Sequence, residues 1–165
     1  MAGAPVASQA PPDCVVLDAS FVLRYVLHVN AGQPHPAGLV QLASCELLVP
    51  ALWQAEVANA LLQAERRGAA SPDRVAQALA AILALNPVVD ATAVDVARNL
   101  ECARAHRLSA YDSLYFELAM RRKAALATYD QEMMAAAPRA GIRLFPHPFP
   151  NPMAAPASTV SKATP

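Results

Sequence analysis

The chain is 165 residues long, 55% hydrophobic and 16% charged, which excludes an intrinsically disordered polymer and suffices for one domain with a buried core. Lys and Arg number 13, as do Asp and Glu, so the formal net charge is zero and charge alone neither points to nucleic acid nor excludes it. Apolar runs break at Asp18, Arg24, Glu56 or Asn86 before reaching membrane-span length, and no basic residue precedes a long apolar stretch at the start; a cytoplasmic chain with no signal peptide and no membrane association is expected.

Residues 1–12 are mostly Ala, Pro, Gly and Ser without periodicity and read as a disordered tail. A short apolar strand is predicted over 14–17, ending at Asp18, followed by a helix over 20–29. Gly32, Pro34 and Pro36 break the chain, and a short helix over 37–43 leads into a second apolar strand over 47–49. A long helix is predicted over 51–67, with Leu52, Ala55, Ala60, Leu61 and Ala64 as its apolar stripe and Gly68 as its stop. Ser71 and Pro72 mark the next helix start, with Ser as N-cap and Pro in the first helical position; the helix runs to about Leu85.

A third strand is read over 87–89, and Asp90 is available to cap a helix running through about Ala105. Ser109 is expected to cap a helix over 110–122, whose end carries Arg121, Arg122 and Lys123 as dipole-complementing surface charges. A fourth strand follows over 124–128, a helix over 130–137, a break at Gly141 and a fifth strand over 142–145. Residues 146–165 contain six prolines and read as a second disordered tail, leaving 13–145 as the folded domain. Cys14, Cys45 and Cys102 are odd in number and far apart, so they read as small hydrophobes rather than a disulfide or zinc framework.

Short apolar strands separated by helices predict an α/β fold whose parallel sheet is covered on both faces. Ligands of such sheets bind beyond the carboxyl ends of the strands. Asp18 and Asp130 fall at such ends, and two further acids, Glu56 and Asp112, lie on helices that can reach them. Asp18 follows the first strand, where an uncompensated carboxylate is costly. It could cap the first helix, but Ser20 is also available for that. Glu56 lies about two turns into the long helix, past the zone where the helix dipole stabilises it, with Asn59 three residues on along the same face. Ser109 and Asp112 have capping-box spacing, and one carboxylate can both cap and ligate a metal. Asp130 follows the fourth strand, where Thr128 adds a hydroxyl at the same mouth; nearby Glu132 is expected to face solvent. Together the four suggest one shared cation. Four acids held in one site would leave the remaining surface four charges basic.

Four stretches then resemble the PIN domain family, and within it the VapC-type toxins of toxin–antitoxin modules. They are Val15-Val16-Leu17-Asp18-Ala19-Ser20; Val49-Pro50-Ala51-Leu52-Trp53-Gln54-Ala55-Glu56-Val57-Ala58-Asn59-Ala60-Leu61; Leu108-Ser109-Ala110-Tyr111-Asp112-Ser113-Leu114-Tyr115; and Leu126-Ala127-Thr128-Tyr129-Asp130. The resemblance implies a three-layer α/β/α sandwich with a mainly parallel sheet of four to five strands. It implies that Asp18, Glu56, Asp112 and Asp130 are the catalytic acids and bind Mg²⁺ or Mn²⁺, with Ser20 and Thr128 as auxiliary hydroxyls. Asn59 is taken as a further auxiliary residue from its place beside Glu56. The implied reaction is hydrolysis of RNA phosphodiesters by a metal-activated water. The implied partners are RNA, an antitoxin protein and a second copy of the chain. An all-oxygen donor set suits those hard cations. Arg24, His28, Arg104, His106 and Arg107 are the candidate phosphate contacts.

The alternative is a non-catalytic PIN fold that binds RNA or protein. A phosphatase of the Asp-x-Asp type is disfavoured because Asp18-Ala19-Ser20 lacks the second Asp, and a Rossmann dehydrogenase because no Gly-rich turn follows the first strand.

Overall fold

A computed structural model describes residues 13–28 and 42–146. The first apolar run forms β1 (Cys14–Leu17), followed by α1 (Ala19–His28). Then come β2 (Glu46–Pro50), α2 (Leu52–Arg66), α3 (Pro72–Ala84) and β3 (Val88–Asp90). The remainder is α4 (Val96–His106), α5 (Asp112–Arg122), β4 (Ala125–Ala127), α6 (Gln131–Ala136) and a 3₁₀ turn, Ala137–Ala140. No helix among the described residues is long and apolar enough to cross a membrane.

The four strands form one all-parallel sheet in the order β3-β2-β1-β4. Val15 pairs with Leu47 on one side and Ala125 on the other, so β1 is central. Val15, Val16 and Leu17 are wholly buried, which requires cover on both faces and explains their unbroken apolar character. The chain steps from β1 to β2 to β3 in one direction, then crosses back to place β4 on the far side of β1. Right-handed crossovers in opposite directions put their helices on opposite faces. Accordingly α1, α2 and α3 pack on one another, while α4 packs on α5 and α5 covers β1, β2 and β4. The three-layer sandwich follows, and the strand order reverses between β1 and β4.

Several local expectations are corrected. The buried stripe of α2 is Trp53, Val57, Leu61 and Ala64; Ala55 is exposed, and Leu52 and Ala60 are only half-buried. Glu56 therefore sits at the edge of the apolar stripe rather than inside it. Asp90 does not cap α4. It ends β3, where its carboxylate accepts from the Thr92 N–H at 3.0 Å and pairs with Arg121 at 3.2 Å. Asp95 is the cap, accepting from the N–H groups of Ala97 (3.0 Å) and Arg98 (3.1 Å). Arg121 and Arg122 are more than helix-end charges, since they pair with Asp90, Glu117 and Glu46. The fifth strand shrinks to one parallel bridge, Leu126 to Leu144, because the chain enters from left-handed Gly141 (φ 72°) and meets a β4 only three residues long.

Ser71 caps α3 with Pro72 next to it, as predicted, accepting from the Arg74 N–H at 3.3 Å. Cys102 is buried, Cys14 and Cys45 are half-buried, no disulfide joins them among the described residues, and burial is the chief cause that pushes all three thiols up in pKa. The predicted N-terminal tail, all of the C-terminal one but Pro146, and nearly all of the predicted 37–43 helix lie outside the described residues.

Candidate active site

The site is built where the strand order reverses, the place where open parallel sheets bind ligands. The Asp18 N–H donates to the Ala127 carbonyl at 3.0 Å, carrying the β1–β4 pairing one step past both strands. Asp18 thus stands at the carboxyl end of β1, directly before α1. Its side chain is only 6% exposed.

Two hydroxyls hold that carboxylate. Ser20 Oγ and Thr128 Oγ1 both donate to Asp18 Oδ2, the latter at 2.7 Å. Each hydroxyl also accepts a backbone N–H: Ser20 Oγ from Tyr129 at 3.0 Å, and Thr128 Oγ1 from Asp130 at 2.9 Å. A hydroxyl has one proton, so accepting from the backbone directs that proton to Asp18. Ser20 lies inside α1, one residue past its start, and its hydroxyl serves the Asp18 carboxylate. Burial pushes the Asp18 carboxyl up to about 6; the Ser20 and Thr128 bonds oppose this and the nearby Glu56 charge adds to it.

Asp130 joins through Thr128. Its backbone N–H donates to the Thr128 hydroxyl, and its Oδ1 caps α6 by accepting from the Met133 N–H at 2.8 Å. The Tyr129 ring between them stacks on Phe21 of α1 (5.3 Å), and the Arg24 guanidinium lies 4.6 Å above it. Arg24 is therefore held against the loop that carries Asp130.

Glu56 enters from α2. Its Oε2 accepts from the Tyr115 hydroxyl, whose side chain on α5 is 1% exposed. Burial first, then the Glu56 contact, pushes the Tyr115 phenol far up, so it remains a donor. Asp112 opens α5 one turn before Tyr115. Ser109 Oγ donates to Asp112 Oδ2 at 2.6 Å and accepts from the Asp112 N–H at 3.0 Å, so the reciprocal pair closes the turn before a helix that starts two residues later than predicted. The wholly buried Ser113 fastens this start to α4: its hydroxyl lies 2.6 Å from Asn99 Oδ1 and 3.0 Å from the Ala110 carbonyl.

The structure thus joins Asp18, Ser20, Thr128 and Asp130 in one hydrogen-bond network, with Glu56 close enough to Asp18 to act on its charge. Among the described residues, the Asp112 side chain bonds only to Ser109. Asn59 is exposed, and its side chain makes no hydrogen bond among the described residues. Arg104 and Arg107 are exposed at the end of α4, whereas His106 packs its ring on Phe116 at 4.6 Å. The His28 side chain lies outside what the structure describes. Sequence reasoning gave Tyr115 no role; the available signal was its place one helical turn after Asp112 on the same face.

Among the described residues, no three His, Cys, Asp or Glu side chains are close enough to form a metal-ligand group as they stand. In donor chemistry the acids still fit a hard divalent cation. All their donors are oxygen, none of the four forms an ion pair among the described residues, and Asp18 is buried with only neutral donors around it.

Comparison with known proteins agrees with this architecture. The model of the PIN domain family matches residues 15–139. The crystal structure of PAE2754 from Pyrobaculum aerophilum is similar, with a TM-score of 0.58 and 22% identity over 74% of this chain and 78% of that one. That likeness bears on the fold. No curated protein matches.

Proposed function

This chain belongs to the PIN domain family, generally a nuclease fold, and on that premise we propose that it is a metal-dependent endoribonuclease acting as the toxin of a toxin–antitoxin pair. One observation carries the nuclease reading: a buried carboxylate, Asp18, tied through Thr128 to Asp130 and sensing Glu56, at the reversal of strand order. The toxin reading rests on the four resembling stretches, above all Ser109-Ala110-Tyr111-Asp112. An antitoxin and a second copy of the chain are the protein partners it brings.

Asp18, Asp112, Asp130 and Glu56 would hold Mg²⁺ or Mn²⁺. Such an ion, when bound, supplies a Lewis acid for the phosphate and a water of lowered pKa. The chain's own residues do the rest. Ser20 and Thr128 fix the Asp18 carboxylate, so its orientation is set before substrate arrives. Arg24, Arg104 and Arg107 supply positive charge for the phosphate backbone.

Purified protein is expected to cleave RNA with Mg²⁺ or Mn²⁺ and to stop with chelator. Asp18→Asn is expected to lower the rate by about two orders of magnitude or more, as loss of a transition-state charge contact does. Cleavage that continues in chelator, or is unchanged in Asp18→Asn, overturns the reading. Among the described residues no three His, Cys, Asp or Glu side chains stand grouped as ligands, which favours a second reading, a non-catalytic PIN fold that binds RNA or protein. RNA retention without metal, by wild type and Asp18→Asn alike, would select it.

A further inference from the structure

We propose that Tyr115 is a positioning residue of this site: its hydroxyl holds one oxygen of Glu56 and so sets the direction in which that carboxylate acts. The inference rests on the metal-nuclease reading and deepens it.

The two residues are 59 positions apart and lie on helices that do not belong to the same packed group. Glu56 is near the start of α2, just beyond the carboxyl end of β2; Tyr115 is in the first turn of α5. Their bond therefore spans the carboxyl side of the sheet, where Asp18 stands. A glutamate on a half-exposed helix face has three rotatable torsions and no inherent reason to point to the strand ends. The phenol ring has none of that freedom, being packed to 1% exposure. Bonding Oε2 to a fixed hydroxyl leaves Oε1, which takes no hydrogen bond among the described residues, as the oxygen presented onward.

The arrangement repeats at the other acids. Asp18 Oδ2 is held by Ser20 and Thr128, Asp112 Oδ2 by Ser109, and Asp130 Oδ1 by the Met133 N–H. Each carboxylate thus has one oxygen anchored by a neutral donor. Outer partners of this kind orient ligand carboxylates, and their loss weakens metal binding by about 10- to 100-fold. At Glu56, as with Thr128 at Asp18, the anchor is a buried side chain distant in sequence, here from another helix.

The test reads Mn²⁺ binding without RNA, from the electron paramagnetic resonance signal of free Mn²⁺, in wild type, Tyr115→Phe, Glu56→Gln and the double variant. Tyr115→Phe keeps the packed ring and removes only the anchor. It is expected to weaken Mn²⁺ binding by about tenfold while thermal unfolding stays cooperative. In the Glu56→Gln background the same change is expected to add nothing, because the effect runs through that carboxylate. Wild-type affinity in Tyr115→Phe overturns the inference and leaves the nuclease reading standing. Equal losses in both backgrounds also overturn it, since they assign Tyr115 a general structural role. A wild type that binds no Mn²⁺ overturns both readings together.

Discussion

Asp18 is the residue at which burial and chemistry conflict. Its carboxyl is raised to about 6, above the usual carboxylate value, chiefly because burial disfavours its charge. The folded protein therefore binds this proton more tightly than the unfolded chain does. Without a divalent cation, the stability linked to Asp18 is fully present below about pH 4 and is lost as pH rises through about 6, by about 3 kcal/mol. Asp90 has the opposite sign. Its carboxyl is held down to about 2, first by the Thr92 side chain and then by Arg121, so its contribution is present above about pH 4 and lost as pH falls toward 2. Between pH 4 and 6 the Asp18 contribution changes while that of Asp90 stays in place. Denaturant titrations in chelator are expected to show stability falling across that window in wild type, and a flattened profile in Asp18→Asn. Added Mn²⁺ is expected to reverse the fall at pH 7, where the carboxylate is charged and the ion stabilises the folded state by binding it.

At the scale of elements, helix starts differ in how far their supports reach. Ser71 caps α3 through a bond spanning three residues. Ser71→Ala is expected to cost about 1 kcal/mol in denaturant titration, the usual loss for a cap. Ser113 is another case: its buried hydroxyl ties the start of α5 to Asn99 on α4 and to the Ala110 carbonyl. Ser113→Ala removes that donor from the half-buried Asn99 side chain and is expected to cost about 1 kcal/mol. Because α5 carries both Asp112 and Tyr115, that variant is also expected to lose RNA cleavage beyond its loss of stability, read as a lower kcat at a temperature where both proteins are folded. The first change follows from a sequence motif; Ser113 carries no such local mark, since its partner lies 14 residues away.

For the whole molecule, the sheet is the frame on which both helical layers rest. Leu126 is wholly buried and belongs to β4, which pairs with β1 and forms one flank of the site. Leu126→Ala is expected to cost about 2–5 kcal/mol in denaturant titration, from lost burial plus the cavity left behind. Much of this fold was legible in the chain. The unbroken apolar runs at β1, β2 and β4, the Ser71-Pro72 start and the alternation of strands with helices all reflect rules that act within a few residues. The same holds for the placing of Asp18 and Asp130 just past strand ends and of Asp112 at a helix start, which are properties of local spacing. What only the tertiary structure decided is which distant groups meet. The order β3-β2-β1-β4, the Arg121 pairing that takes Asp90 away from a helix cap, and the Tyr115 bond that anchors Glu56 all join residues far apart in the chain. Local propensity and capping are blind to such pairs. Their formation depends on closing long loops and packing two helical layers against one sheet, and no short stretch of sequence contains those terms.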